Sequence, residues 1–326
     1  METPLEAARA PQLHAPAESL AGNLPAERAN ARNSHLRFDP KDIRENFDRE
    51  PFAFAHDLHT LELFSPDRLL QLMRRFDTAP ADYFVSASAP TADTEFFKVS
   101  HDLCKPSEAL ARLDREAIRV LLKRPENHDP AFRRLLDDLF AQVVELRPEL
   151  KQQRIVRLEA GLFITSAAST TPFHFDPEIN FFSQIEGEKE YHVYSPAALK
   201  ARELEKFYLQ GQVNIGQVDL RGRDSVHERV YKLRPGAGFH QPQNSPHWVQ
   251  TQASRSISYA FVYETELTRL RGRARACNHF LRRAGIDPAE PGAYPSRDRV
   301  KSAAMRMVIP LRRMVGSKLR ALRGRH

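Results

Sequence analysis

The chain has 326 residues, 41% hydrophobic and 28% charged, the balance of a soluble globular protein long enough to bury a sizeable core. Its net charge of +7 is gathered at one end: from Tyr294 to His326 ten Lys or Arg face one acid, Asp298, so the surplus belongs to a tail and says nothing about a pocket. No apolar run approaches the length of a membrane span, the N-terminus lacks a basic stretch followed by an apolar one, and the two cysteines form no framework; a membrane span, a secretory signal and a disulfide scaffold are not expected, and a reducing cytoplasm is.

Residues 1–36 are rich in Ala, Pro and Glu and read as a disordered or loosely attached segment. Core material begins with Phe38, Ile43, Phe47, Phe52 and Phe54. Ser65-Pro66-Asp67 reads as an N-cap with Pro at the first helical position, and Leu69, Leu70, Leu72, Met73 and Phe76 follow. Asp82–Ser88 and Glu95–Val99 read as two strands about a turn at Ala89-Pro90. Pro106–Leu122 reads as a helix, with Leu110, Leu113, Ala117, Val120 and Leu121 near helical spacing. Asp129-Pro130 opens a second helix with a broad stripe from Phe132 to Val144, which is core and carries no function.

From Arg154 the period becomes two, and strands follow in quick succession to Tyr263. Pro196–Phe207 reads as a helical insert, and Tyr208–His227 as a long polar loop, either a cover for a pocket or surface decoration. Glu264–Ala284 reads as a helix ending at Gly285, with two short helices after it, separated by Pro310. Many short strands flanked by helices predict a mainly β double-stranded β-helix, a jelly roll, over 37–263, followed by a basic helical segment, 264–326.

The chemistry is concentrated in Thr171–Tyr191, TPFHFDPEINFFSQIEGEKEY. In a strand His174 and Asp176 share a face, with Phe175 opposite. Two His and one carboxylate form the facial triad of non-haem Fe(II) oxygenases. A third ligand is available in His247, preferred over His240 because Pro242 and Pro246 mark a turn that re-aims the chain before it; His240 reads as a wall or strand residue. Trp248 would face away from a metal and reads as core. Lys189, on sequence alone, reads as a solvated lysine; buried inside a barrel it would need an anionic partner, which a dicarboxylate would supply.

Thr171-Pro172-x-His174-x-Asp176, then Asn180-Phe181-Phe182-x-Gln184-Ile185-x-Gly187-x-Lys189, then Pro246-His247, resembles the JmjC, or cupin-like (cupin-8 type), 2-oxoglutarate oxygenases. Within them the pattern is similar to the asparaginyl hydroxylase acting on hypoxia-inducible factor and to bacterial cupin-like domain proteins. The motifs cover about a quarter to a third of the chain by eye, and the combination is specific where each piece alone is not. The resemblance implies a cupin/JmjC fold, His174, Asp176 and His247 as ligands of Fe(II), and 2-oxoglutarate as co-substrate, with Lys189 and Thr171 on its distal carboxylate and Asn180 nearby. It implies hydroxylation of a C–H bond in a protein side chain or a small molecule, with succinate and CO2 as co-products. The chain departs from the asparaginyl hydroxylase in Ser256–Tyr263, where no Asn stands for the one that contacts the co-substrate there.

The competing expectation is a non-catalytic cupin-like protein that binds a metal or ligand and regulates. Nucleic-acid binding through the basic tail is a third reading, not favoured: the tail lacks interleaved aromatics, and Met305, Val308, Ile309 and Leu311 suit packing. A homodimer through C-terminal helices is what the resemblance implies.

Overall fold

The computed structural model describes residues 34–89, 91–95, 102–211, 215–220, 223 and 225–323. Nearly all of the segment read as loosely attached, and Phe96–Val99 of the second expected strand, lie outside the described residues. The chain opens with β1 (Leu36–Arg37), α1 (Pro40–Glu45) and β2 (Phe52–His56). α2 (Pro66–Phe76) starts after Ser65 and buries Leu69, Leu72, Met73 and Phe76. β3 (Tyr83–Ala87) follows.

Between Pro106 and Leu122 the structure differs from the helix expected there. Only α3 (Pro106–Arg112) is helical, and Ile118–Lys123 forms β4, paired with β3. Ile118, Val120 and Leu122 are buried, while Arg119, Leu121 and Lys123 take the other face. That period of two suits a strand covered on both sides and no helix. α4 (Pro130–Leu146) then begins where Asp129 accepts the Ala131 N–H at 2.8 Å.

The barrel follows: β5 (Ile155–Thr165), β6 (Thr170–Phe175), β7 (Ile179–Glu186) and β8 (Lys189–Tyr194), then α5 (Ala201–Leu209) and β9 (Gly216–Gln217), then β10 (Glu228–Leu233), β11 (Ala237–Gln241), β12 (His247–Thr251) and β13 (Ser256–Thr265). The loop expected over Tyr208–His227 thus contains a short strand. One sheet has the order β1-β2-β11-β7-β13-β5-β4-β3, the other β10-β8-β12-β6-β9, with antiparallel pairing throughout. The two sheets face each other, and Phe182, Tyr191, Val193, Phe239 and Val249 fill part of the space between them. This is the jelly roll of cupin and JmjC proteins, mainly antiparallel β with flanking helices. The outer face of the larger sheet is covered by helices: Phe132 of α4 lies 6.1 Å from Tyr259, and Phe140 lies 5.4 Å from Tyr263.

α6 (Glu266–Arg283) ends before Gly285, whose φ of 81° is the left-handed conformation glycine adopts at a helix end. In place of two short helices about Pro310, a single α7 (Pro295–Arg323) runs through it. Pro310 is exposed, so water can serve the carbonyl its missing N–H leaves behind.

Candidate metal centre

β6 and β12 are neighbours, and their register sets His174 directly opposite His247. The turn between β11 and β12 brings His247 there. Asn244 adopts φ 66°, a conformation Asn tolerates, and its N–H bonds the Asp176 carbonyl at 2.9 Å. The end of β6 and the approach to β12 are thereby tied together.

Each imidazole is oriented through its other nitrogen. His174 Nδ1–H donates to the Pro172 carbonyl at 2.7 Å and His247 Nδ1–H to the Ser245 carbonyl at 3.1 Å. That leaves both Nε2 atoms on the Asp176 side, 3.8 and 3.6 Å from its Oδ2. One donor atom from each of the three residues lies within 4.8 Å of the others. Carbonyl-oriented imidazoles are the usual support of a metal ligand. Burial pushes His174 down to about 4 and His247 down to about 3. Both rings are therefore neutral at physiological pH, the form that binds a metal. Burial raises the Asp176 carboxyl, and His247 opposes the shift.

His240 is elsewhere. It is fully buried among Phe47, Phe52 and Phe181, with ring centroids 4.7 to 4.9 Å away, and its Nε2 accepts the Asp48 N–H at 3.1 Å. Trp248 points away from the metal group, as expected, but is half-buried rather than core, stacked on His192 at 3.8 Å.

The three residues open on a cavity of about 780 Å3 whose lining includes Thr171, Asn180 and Lys189. The solvated reading of Lys189 fails: the residue is 4% exposed. Its Nζ donates across the barrel to Ser258 Oγ at 3.0 Å, Ser258 donates to Gln184 Oε1 at 2.8 Å, and Gln184 Nε2 donates to Ser256 Oγ at 2.7 Å. Burial, reinforced by the charge of Arg119, brings Lys189 down to about 7. Asn180 Oδ1 is buried with no hydrogen-bond partner among the described residues.

Two features escaped the sequence reading. Arg119 of β4 lines the cavity, hidden because its segment reads as helix; the alternation of Ile118, Val120 and Leu122 is the signal that reveals it. Arg157 of β5 collects Glu159 at 3.1 Å, Glu178 at 3.4 Å and Glu264 at 3.6 Å. The insert borders the same space: Phe207, Tyr208 and Gly211 are among its lining residues. Gly272 of α6 lets it approach, since a Cβ there would sit 2.5 Å from the Tyr208 ring.

The sequence profile of the cupin-like domain matches residues 25–267. Among solved structures the chain is similar to an X-ray structure of ycfD from E. coli, 18% identical with a TM-score of 0.47, over 84% of this chain and 68% of that one. It is similar also to YcfD, a ribosomal oxygenase from Escherichia coli, in complex with cobalt and 2-oxoglutarate, 17% identical with a TM-score of 0.45, over 83% of this chain and 66% of that one. The chain therefore spans about two thirds of the length of these structures. No curated protein matches the chain.

Proposed function

The chain belongs to the cupin-like domain family, and from that membership we propose that it is an Fe(II)- and 2-oxoglutarate-dependent dioxygenase. It hydroxylates a C–H bond of a protein side chain or a small molecule, with 37–263 as the oxygenase domain and the cytoplasm as its compartment. The observation that carries the reading is the meeting of two neutral imidazoles and one carboxylate on the wall of a cavity that also holds a buried lysine.

The residues present fit the iron and the co-substrate. Two Nε2 donors and a carboxylate on one side of a site leave the other side open, the arrangement that non-haem Fe(II) oxygenases use. Among the described residues, the buried ammonium has no carboxylate beside it and the buried amide oxygen no donor, and such groups are prepared for a polar ligand. In this reading His174, Asp176 and His247 hold Fe(II). Lys189 and Thr171 hold the distal carboxylate of 2-oxoglutarate, with Asn180 alongside. When bound, iron and 2-oxoglutarate supply the oxidation: O2 gives one oxygen atom to the succinate formed as CO2 leaves, and the other to the hydroxylated carbon. The protein's own part is to orient the imidazoles through Pro172 and Ser245, place the co-substrate, and keep bulk water from the reacting atoms.

One observation favours a non-catalytic binding protein instead: the strand carrying Ser256, Ser258 and Ala260 has no Asn toward the co-substrate. Titration of the anaerobic Fe(II) protein with 2-oxoglutarate, followed by charge-transfer absorbance, decides between them, with succinate formation under O2 and ascorbate as the second readout. Saturable binding and succinate release are expected. A wild type that binds iron but no 2-oxoglutarate establishes the binding-protein reading.

A further inference from the structure

The ligand set proposed above does not use Arg119, a cation of the cavity wall. Arg119 lines the same space as Lys189 and Thr171. Its Nε is buried without a hydrogen-bond partner, and no carboxylate pairs with its guanidinium among the described residues. The cavity's other carboxylates are engaged: Glu159, Glu178 and Glu264 gather around Arg157, and Asp176 faces the two imidazoles.

The strand registers say which end of the cavity Arg119 serves. Arg119 stands opposite Thr165. Thr165 Oγ1 meets Thr251 Oγ1 at 2.9 Å across the barrel, and Thr251 stands opposite Lys189. The two cations therefore enter from the same end, one from each sheet. His247 stands on the same strand as Thr251, four residues before it, so the metal group lies about 13 Å along the strand from that end at a rise of about 3.3 Å per residue. Long side chains reaching back from there would meet the far end of a ligand whose near end lies at the metal group.

Physical chemistry makes the pairing consequential. Burial draws Arg119 down to about 10, and Lys189 is lowered by burial and then by the charge of Arg119. A buried ammonium and a half-buried guanidinium whose Nε is enclosed raise the energy of the empty pocket when no anion is there, and an anion between them relieves both. A guanidinium offers a planar fork to one carboxylate, where an ammonium offers a point charge.

We propose that Arg119 is a second co-substrate-binding cation. Together with Lys189 it holds the distal carboxylate of the dicarboxylate and makes the pocket discriminate against an uncharged distal group. This rests on the co-substrate reading above.

The test compares wild type, Arg119→Gln and Arg119→Lys as anaerobic Fe(II) proteins. The ligands are 2-oxoglutarate and 2-oxoglutaramate, its analogue with an amide in place of the distal carboxylate. Affinity is read by calorimetry and by charge-transfer absorbance. Arg119→Gln is expected to weaken 2-oxoglutarate about 10- to 100-fold, the range for a hydrogen bond between charged groups. Affinity for the amide should stay nearly the same, so the preference for the acid shrinks. Arg119→Lys recovers part of it. The ligand-free Arg119→Gln protein should keep its iron and melt no lower than wild type, since it loses a half-buried charge that no carboxylate pairs among the described residues. Equal loss for both ligands with a lower melting temperature makes Arg119 structural and overturns the proposal, as does no loss for either. A wild type that binds neither ligand overturns the co-substrate reading itself, and this proposal with it; a wild type that binds 2-oxoglutarate as well as Arg119→Gln does overturns only the role of Arg119.

Discussion

His174 and His247 stand opposite each other on adjacent strands, with ring centroids 4.2 Å apart and both Nε2 atoms turned toward Asp176. Replacing any one of the three by Ala should abolish stoichiometric Fe(II) or Co(II) binding. In a metal-loaded crystal, metal–nitrogen and metal–oxygen distances of about 2.0 to 2.2 Å are expected. His240→Ala is the contrasting variant. It should keep the metal and lose about 3 kcal/mol of stability, the scale of deleting a ring from a packed aromatic cluster. Metal analysis after gel filtration, with thermal melts, separates the two. Metal lost by His240→Ala and kept by His247→Ala would reverse the assignment.

Lys189→Ala should weaken 2-oxoglutarate by about 2 to 5 kcal/mol, the cost of unpairing a desolvated charge pair. Lys189→Arg should also be damaging, because the fork does not fit where Nζ meets Ser258 at 3.0 Å. Iron should still bind both variants. The measurement is the anaerobic 2-oxoglutarate titration, and equal affinity for wild type and Lys189→Ala would remove Lys189 from the co-substrate site.

His56 predicts how acid acts on stability away from the metal group. The ring is fully buried, accepts the Leu58 N–H at Nδ1 and donates from Nε2 to the Ala237 carbonyl at 3.2 Å. Burial holds it down at about 4, against 6.5 ordinarily. Below pH 6.5 the unfolded chain takes a proton that the folded chain refuses, so stability falls as the pH drops toward 4 and then levels. The full effect is about 3 kcal/mol, from the free energy of one pKa unit. Urea melts of wild type and His56→Gln between pH 7 and 4 should show the shallower slope in the variant; parallel slopes would mean that His56 is not the group responsible.

The meeting of His174, Asp176 and His247 was legible because its signals are local. A His and an Asp two apart on a strand must share a face, and a Pro-bounded turn re-aims the chain before His247. The burial of Lys189 was not legible from local pattern, because the far sheet encloses it: its partner, Ser258, lies 69 residues away. Arg119 was missed for the opposite reason. Leu110, Leu113, Ala117 and Val120 mimic a helical stripe, and only pairing of β4 to β3 and β5 makes the period of two decisive. Pro310 failed as a helix breaker because it sits on the exposed side of α7.

α7 decides the last prediction. Its inner side is docked: Met305 and Ser302 are buried, Arg273 Nε donates to Ser302 Oγ at 2.7 Å, and Lys301 Nζ donates to Asn278 Oδ1 at 2.7 Å. Its outer side carries Val300, Met307 and Leu311, which are 72%, 75% and 61% exposed. At spacings of seven and four they lie along one stripe of the helix. Scattered apolar residues need no explanation, but three in a stripe on one helix suit a contact surface. Our prediction is that a second copy of the chain covers it. Met307→Glu with Leu311→Glu should then halve the mass read by light scattering while iron binding persists, because neither residue lines the cavity. The same helix is strongly basic, so pairing two of them brings like charges together, and added salt should strengthen the dimer by screening them. A wild type of monomer mass at both low and high salt would defeat the prediction and leave the stripe for a different partner.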